Sequence, residues 1–406
     1  MRIALATVGT TGDIRPFARL AGHLVERGHE VTAISWPVHR AALARPGVRV
    51  EVAGPHADPT RIASVAADAA RHGPMNQVAV LRDFHLVDGE AHYRRLRELL
   101  PGHDLVLLHG IHSLAQAAAL DLGLRWATVV FDPVLLPTKS APPPGMPSLG
   151  PLNGLLWSIV DGAIARAGRP LNELLQRAGT QQRDLPLFRA RSPLLHLVAC
   201  SPAIMRVPRD LPAATRVTGA WLDRSPTAPL PEELDAFLAD GTPPIAVTFG
   251  SMDGASRSVL QEALTTILDA GRRVVVQGVD VGSMSSPSLI AIGPTDHRAL
   301  FPRTALVVHH GGAGTTHTAC AAGVPSLVVP HVGDQRYWAD RLHQLGVGGQ
   351  PLPVAKLRAD RLARAVLASA SDRAMHERAR ALAEQPAQED GIGVSVALLE
   401  RAAATA

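Results

Sequence analysis

The stretch Val307–Leu345, VVHHGGAGTTHTACAAGVPSLVVPHVGDQRYWADRLHQL, constrains the fold more than any other part of this chain. It reads as strand, glycine loop, helix, strand, acidic loop and helix, with polar residues at the junctions. Val307 and Val308 begin a buried strand that ends at His309-His310. Gly311-Gly312-Ala313-Gly314 lets something approach the backbone closely, because glycine has no Cβ. Thr315, Thr316 and the small residues after them open a helix that stops at Gly323-Val324-Pro325, a glycine-rich C-terminus. The free N–H groups and dipole at such a helix start form an anion site, so a phosphorylated ligand is expected here.

The same rhythm extends over both halves of the chain. Apolar runs at Arg2–Val8, Glu30–Ser35, Arg49–Ala53, Asp104–His109 and Arg125–Phe131 predict strands in the first half. Ile245–Phe249, Arg273–Gln277, Leu289–Ile292, Leu306–His309 and Ser326–Val329 predict strands in the second. Helical periodicity separates them, as in Pro16–Arg27, Ser258–Leu268 and Arg336–Leu345. Alternating strands and helices argue for an α/β protein with one parallel sheet per half. The expected organisation is a first domain over 1–205, a proline-rich linker over 206–244, and a second domain over 245–385. A last helix around Gln388–Ala403, within 386–406, is expected to cross back to the first domain.

With 406 residues, 46% of them apolar, the chain can bury two cores. Its formal charge of +4 invites a nucleic-acid reading. The basic residues are nearly all arginines scattered through helices, with Lys139 and Lys356 the lysines, and aromatics are 3%. A solvated surface fits this distribution better than a nucleic-acid footprint. No apolar run reaches the roughly 18 residues of a membrane-spanning helix. Two cysteines, Cys200 and Cys320, give no disulfide framework, and a cytoplasmic location is expected.

Several polar residues stand where chemistry would sit. Gly312-x-Gly314, with Asp334 about twenty residues on, imitates a dinucleotide fingerprint. The third glycine position is His317, however, and the loop lies late in the chain. A diphosphate site explains more: His309 can donate to a phosphate oxygen, and Gly314 and Thr315 add donors at the helix start. Gly250-Ser251, after the strand IAVTF, offers another donor turn. Asp334 and Gln335 follow the next strand and can hold sugar hydroxyls. Asp13, in VGTTGDIRP, lies between the first strand and the first helix, where it can be a general base or a helix N-cap. No Asp-x-Asp pair occurs, and the spacing of His309, His310, His317 and His331 matches no standard zinc site. No metal or other cofactor is expected.

The segment HHGGAGTTHTACAAGVPSLVVPHVGDQRYWADRLHQLGVG resembles the donor-binding motif of the family 1 glycosyltransferases. VGTTGDIRPFARLAGHLVERGHEVT resembles that family's first strand, loop and helix, and FGSM its donor loop. The bacterial antibiotic and sterol branch is the most similar. The resemblance implies a GT-B fold, two facing Rossmann-like domains with an inter-domain cleft. It also implies an inverting, metal-independent hexosyl transfer from a UDP- or dTDP-sugar to a small apolar acceptor. On this basis Asp13 is the catalytic base, and Thr11, Ser251, His297, His309, Gly312, Gly314, Thr315, Asp334 and Gln335 bind the nucleotide sugar. Acceptor walls are expected in Asp58–Leu100 and Pro133–Arg169. A nucleotide-sugar 2-epimerase of the same fold is the competing reading.

Overall fold

The computed structural model describes residues 1–56, 74–134, 136–143, 146–182, 185, 190–249, 257–331 and 334–404. The chain divides into two compact units: residues 1–202, 206–222 and 390–406 form the first, and 203–205 with 223–389 the second.

The first unit is built on seven parallel strands: β1 (Arg2–Ala6), β2 (Glu30–Ser35), β3 (Val48–Val52), β4 (Leu105–His109), β5 (Trp126–Val130), β6 (His196–Val198) and β7 (Thr215–Val217). Their order is β3-β2-β1-β4-β5-β6-β7. Ile3 to Ala6 and Leu105 to Leu108 are fully buried, as strands covered by helices on both faces must be. The covering helices include α1 (Thr11–Glu26), α2 (Pro74–Leu86), α3 (Gly89–Leu99), α4 (Ser113–Asp121) and α5 (Asn153–Arg177). Ile14, Phe17, Leu20 and Leu24 give α1 its buried face. Apolar periodicity points to a helix from Pro16, and the structure starts it at Thr11. A Thr10–Asp13 capping box supports this extra turn ahead of Pro16.

The second unit repeats the plan with β8 (Ile245–Thr248), β9 (Val274–Gln277), β10 (Leu289–Ile292), β11 (Leu306–His309) and β12 (Ser326–Val328). All pairings are parallel, in the order β10-β9-β8-β11-β12. Its helices include α6 (Glu232–Ala239), α7 (Arg257–Asp269), α8 (Ala313–Ala321), α9 (Gln335–Gln344), α10 (Ala359–Ser371) and α11 (Arg373–Ala383). Both strand orders are doubly wound: successive strands are added on one side, then on the other.

The segment 206–244 is not a bare connection, since it carries β7 and α6, and the division between units falls after Leu222. The helix Gly391–Ala404 belongs to the first unit. It packs Ile392, Val396 and Leu399 into the cluster that holds Phe17, Leu24 and Trp221. A Cβ on Gly391 would lie 2.5 Å from the carbonyls of Gly219 and Ala220, so only glycine permits this approach. The Trp221 indole N–H donates to Ser395 Oγ at 2.7 Å, and Ser395 donates in turn to Gly391 O at 2.7 Å. No helix among the described residues is long and apolar enough to cross a membrane.

Ser395 is fully buried, so Ser395→Ala strands the Trp221 N–H without a partner. We expect a loss of about 1–3 kcal/mol of stability in the first unit, read from urea unfolding by circular dichroism. An unchanged midpoint would show that the bond contributes nothing.

Candidate active site

In a doubly wound sheet, ligands bind beyond the carboxyl ends of the strands where the order reverses. In the first unit that place lies between β1 and β4, which are direct neighbours. After β1 the chain runs through Thr7-Val8-Gly9-Thr10 into α1. Gly9 has φ +124°, and a Cβ there would lie 2.4 Å from Asp13 Oδ2. The carboxylate can therefore fold back over the loop only because this residue is glycine. Asp13 Oδ2 accepts from the Thr10 N–H at 2.7 Å and the Thr10 hydroxyl at 3.0 Å. Thr10 is thus the N-cap and Asp13 the third helical residue closing a capping box. The N-cap alternative for Asp13 is corrected accordingly.

The other carboxylate oxygen faces across the switch point. Asp13 Oδ1 is 3.8 Å from Nε2 of His109, the last residue of β4. The Asp13 side chain is 27% exposed and that of His109 5%. His109 Nδ1 is 3.1 Å from Val8 O. Burial pushes the His109 pKa down, while the Asp13 charge and the Val8 contact raise it. His39 Nε2 lies 3.0 Å from Gly9 O. Its pKa is lowered by burial, against the Gly9 contact and the Asp13 charge. Thr11 is exposed at the first position of α1. His109 escaped sequence reasoning because parallel pairing leaves no local signature of which strand end lies beside which.

In the second unit the order reverses between β8 and β11. β11 ends at His309 and His310 begins the loop, so the adjacent histidines divide. His309 is fully buried, and its Nδ1 accepts from the Gly311 N–H at 3.1 Å. Burial, then the neighbouring His310 and His297, lowers its pKa to about 3. His309 therefore props the glycine loop from beneath. His310 is half-buried, and its Nε2 lies 2.5 Å from where a Gly312 Cβ would be, so the ring covers that glycine. Burial lowers its pKa to about 3 as well, so it is a neutral imidazole at neutral pH. The sequence points to His309 as the phosphate contact because it ends the strand, whereas the structure buries that ring beneath the loop and sets His310, the next residue, against Gly312.

Gly311 has φ +94°, and a Cβ there would press on Val328 at 2.7 Å and Gln335 O at 3.0 Å. Gly314 differs: it is exposed, and a Cβ would meet nothing within 4 Å. Gly312 caps α8 and its carbonyl accepts the first helical bond, from the Thr316 N–H at 3.0 Å. The N–H groups of Ala313, Gly314 and Thr315 thus precede the helix's own bonding. Thr315 is half-buried in this first turn.

His317 is a core residue, edge-on to Trp338 at 4.8 Å with Nδ1 2.7 Å from Ala313 O. Gln335 is buried and its Oε1 accepts from the His331 N–H at 2.7 Å. That oxygen is therefore committed to the protein's own turn. Asp334, half-buried, begins α9 without capping it through its side chain. His297 stacks on Phe301 with ring centroids 4.4 Å apart, and its Nε2 lies 2.5 Å from Gln277 Oε1. Gly250 and Ser251 lie outside the described residues. Among the described residues no group of three or more histidine, cysteine, aspartate or glutamate side chains is placed to hold a metal ion. Each unit thus presents one chemical element at its switch point: a carboxylate with one oxygen secured, and a helix start lined with neutral donors.

Known proteins share this plan. The family model described as "Erythromycin biosynthesis protein CIII-like, C-terminal domain" matches residues 284–392. The O-mycaminosyltylonolide 6-deoxyallosyltransferase of Streptomyces fradiae is 33% identical over all of this chain and 98% of that protein. The vancomycin aglycone glucosyltransferase of Amycolatopsis orientalis is 32% identical over 98% of this chain and 97% of its own length. The crystal structure of the glycosyltransferase VinC in complex with DTDP superposes with a TM-score of 0.68 at 19% identity, covering 99% of each chain. With this agreement along its whole length, the chain belongs to the family 1 glycosyltransferases of GT-B fold, in the branch of the antibiotic and sterol enzymes.

Proposed function

We propose that this glycosyltransferase moves a hexose from a dTDP- or UDP-sugar to a hydroxyl of a small, largely apolar natural product, in one inverting step that needs no metal. The carboxylate of Asp13 carries the reading: Thr10 holds one oxygen, and the other faces His109 across the switch point, with the side chain 27% exposed. The named substrates of its relatives, a glycosylated tylonolide and the vancomycin aglycone, support an acceptor of this class. The DTDP held by VinC favours a thymidine donor. Relatives named as transferases leave the epimerase alternative without support.

In this mechanism Asp13 accepts the proton of the acceptor hydroxyl as its oxygen attacks the anomeric carbon. The bond from that carbon to the diphosphate breaks, and its electron pair departs with the nucleotide. The N–H groups of Ala313, Gly314 and Thr315, the Thr315 hydroxyl and the neutral His310 ring receive the growing negative charge. Dipoles aimed at developing charge are worth most in a site shielded from water. The chain has no Asp-x-Asp pair for a metal-clamped diphosphate, so the helix dipole is assigned that work.

Incubating the protein with dTDP-glucose or UDP-glucose and a panel of macrolide and glycopeptide aglycones tests the reading. Product with the inverted anomeric configuration, formed equally well with EDTA present, is expected. Activity abolished by EDTA and restored by magnesium would refute metal independence, and epimerised donor without acceptor would restore the isomerase.

Asp13→Asn keeps the size of the side chain and can still accept from Thr10, yet it cannot take a proton. We expect kcat to fall by about 10²–10⁴-fold with little change in the thermal midpoint. Near-normal turnover would reduce Asp13 to a capping residue. The two histidines should separate: His310→Ala should raise the donor KM by about tenfold or more, the equivalent of one lost hydrogen bond to a charged group. His309→Ala should instead cost about 1–3 kcal/mol of stability, since the Gly311 N–H loses its acceptor. The reverse pattern in donor kinetics and unfolding would exchange their roles.

A further inference from the structure

We propose that Asp13 and His109 share a single proton, so that the base of this enzyme is the pair and not the carboxylate alone; the proposal rests on Asp13 being the base. His109 has no contact with the acceptor in this arrangement and acts through Asp13, as a positioning residue that also stores a proton.

The geometry leads there in three steps. His109 Nδ1 lies 3.1 Å from Val8 O, and a carbonyl only accepts, so Nδ1 must carry hydrogen. The neutral ring therefore turns the lone pair of Nε2 toward Asp13. The carboxylate oxygen opposite also offers only lone pairs. Two acceptors face each other and stand 3.8 Å apart, beyond hydrogen-bonding distance. One added proton turns the mutual repulsion into an O–H···N or O⁻···H–N⁺ bond, and contacts of this kind commonly tighten on the way to reaction.

The surroundings favour one proton over two. Phe17 and Phe131 pack on the His109 ring at 5.9 and 5.4 Å, which penalises an unpaired imidazolium. His112, whose N–H bonds His109 O at 2.9 Å, is itself buried and held neutral, its pKa well below the ordinary value. His39 reaches the loop through Gly9 O. Asp13 supplies the anion that makes a proton on His109 tolerable.

In the reaction, the acceptor O–H bond breaks and its electron pair forms the new bond to the anomeric carbon. The proton passes to Asp13 Oδ1 and then to His109 Nε2, which regenerates the carboxylate. After the product leaves, the proton returns through Asp13 to water. A pair of this kind titrates as a unit with its own apparent pKa. It holds its proton more tightly than a solvated carboxylate, which suits a base working near neutral pH.

The test starts with the free, full-length protein labelled with ¹⁵N-histidine, the His109 signal being assigned by its loss in His109→Gln. NMR titration should show hydrogen on Nδ1 at neutral pH. Asp13→Asn should lower the His109 midpoint by about one pH unit or more, the usual effect of removing an opposite charge at this distance. Kinetics with dTDP-glucose and a macrolide aglycone form the second arm, using His109→Gln and His109→Phe. Glutamine can still donate to Asp13, and phenylalanine keeps the aromatic packing, but neither takes up a proton. Both should lower kcat about tenfold or more and move the acid limb of the pH profile down toward the ordinary carboxylate range. A His109 midpoint unmoved by Asp13→Asn overturns the proposal. So does an acid limb unmoved in both variants, with glutamine restoring full turnover, since His109 would then only position Asp13. Full activity of Asp13→Asn would instead remove Asp13 as base, an outcome the substrate-free titration does not depend on.

Discussion

Parallel strand pairing is the constraint from which the rest of this molecule follows. Every strand in each sheet runs the same way, so every carboxyl end arrives at the same edge. The sheet interior is covered by helices on both faces and admits almost nothing polar; Ile3 to Ala6 are fully buried. Polar side chains are thereby displaced to the edge, where the order reverses and the flanking loops part to opposite faces. Asp13 and His109 meet because β1 and β4 are neighbours there. The glycine loop after β11 occupies the corresponding place beside β8.

The glycine loop of the second unit relies on neutral polar groups more than on charge. Burial holds His309 and His310 near pKa 3, so neither is a cation at neutral pH. On the proposed mechanism, a phosphate at the start of α8 would meet dipoles already oriented by the fold, which need little reorganisation as charge develops. A buried cation would attract the anion more strongly, but the cost of desolvating it would offset much of that gain.

How far the sequence reveals this depends on how local each feature is. Glu30–Ser35, Leu289–Ile292 and Leu306–His309 are strands with the expected bounds, because a continuous apolar run between turn residues is a local signal. β6 and β7 are three residues each, and β7 lies in a proline-rich stretch that read as a connection. Only their neighbours in the sheet make them strands. Asp13 was visible as a candidate because it follows the first strand, but its actual partners, Thr10 by capping and His109 by sheet order, required the fold. Gln335 was visible for the same reason, yet its oxygen serves the His331 turn. His309 and His310 are adjacent in sequence, yet one is the buried last residue of a strand and the other the first residue of the loop.

The glycines of the two units are not alike in what requires them. Gly9, Gly311 and Gly391 are required by the protein itself, since a side chain at any of them would collide with atoms already present. Gly314 has no such obligation: its missing side chain would point into open space. Glycine loses more backbone freedom on folding than alanine would, and no contact within the folded chain requires it at this position. The position is thus indifferent to architecture, and on the proposed mechanism its bareness is room left for the diphosphate.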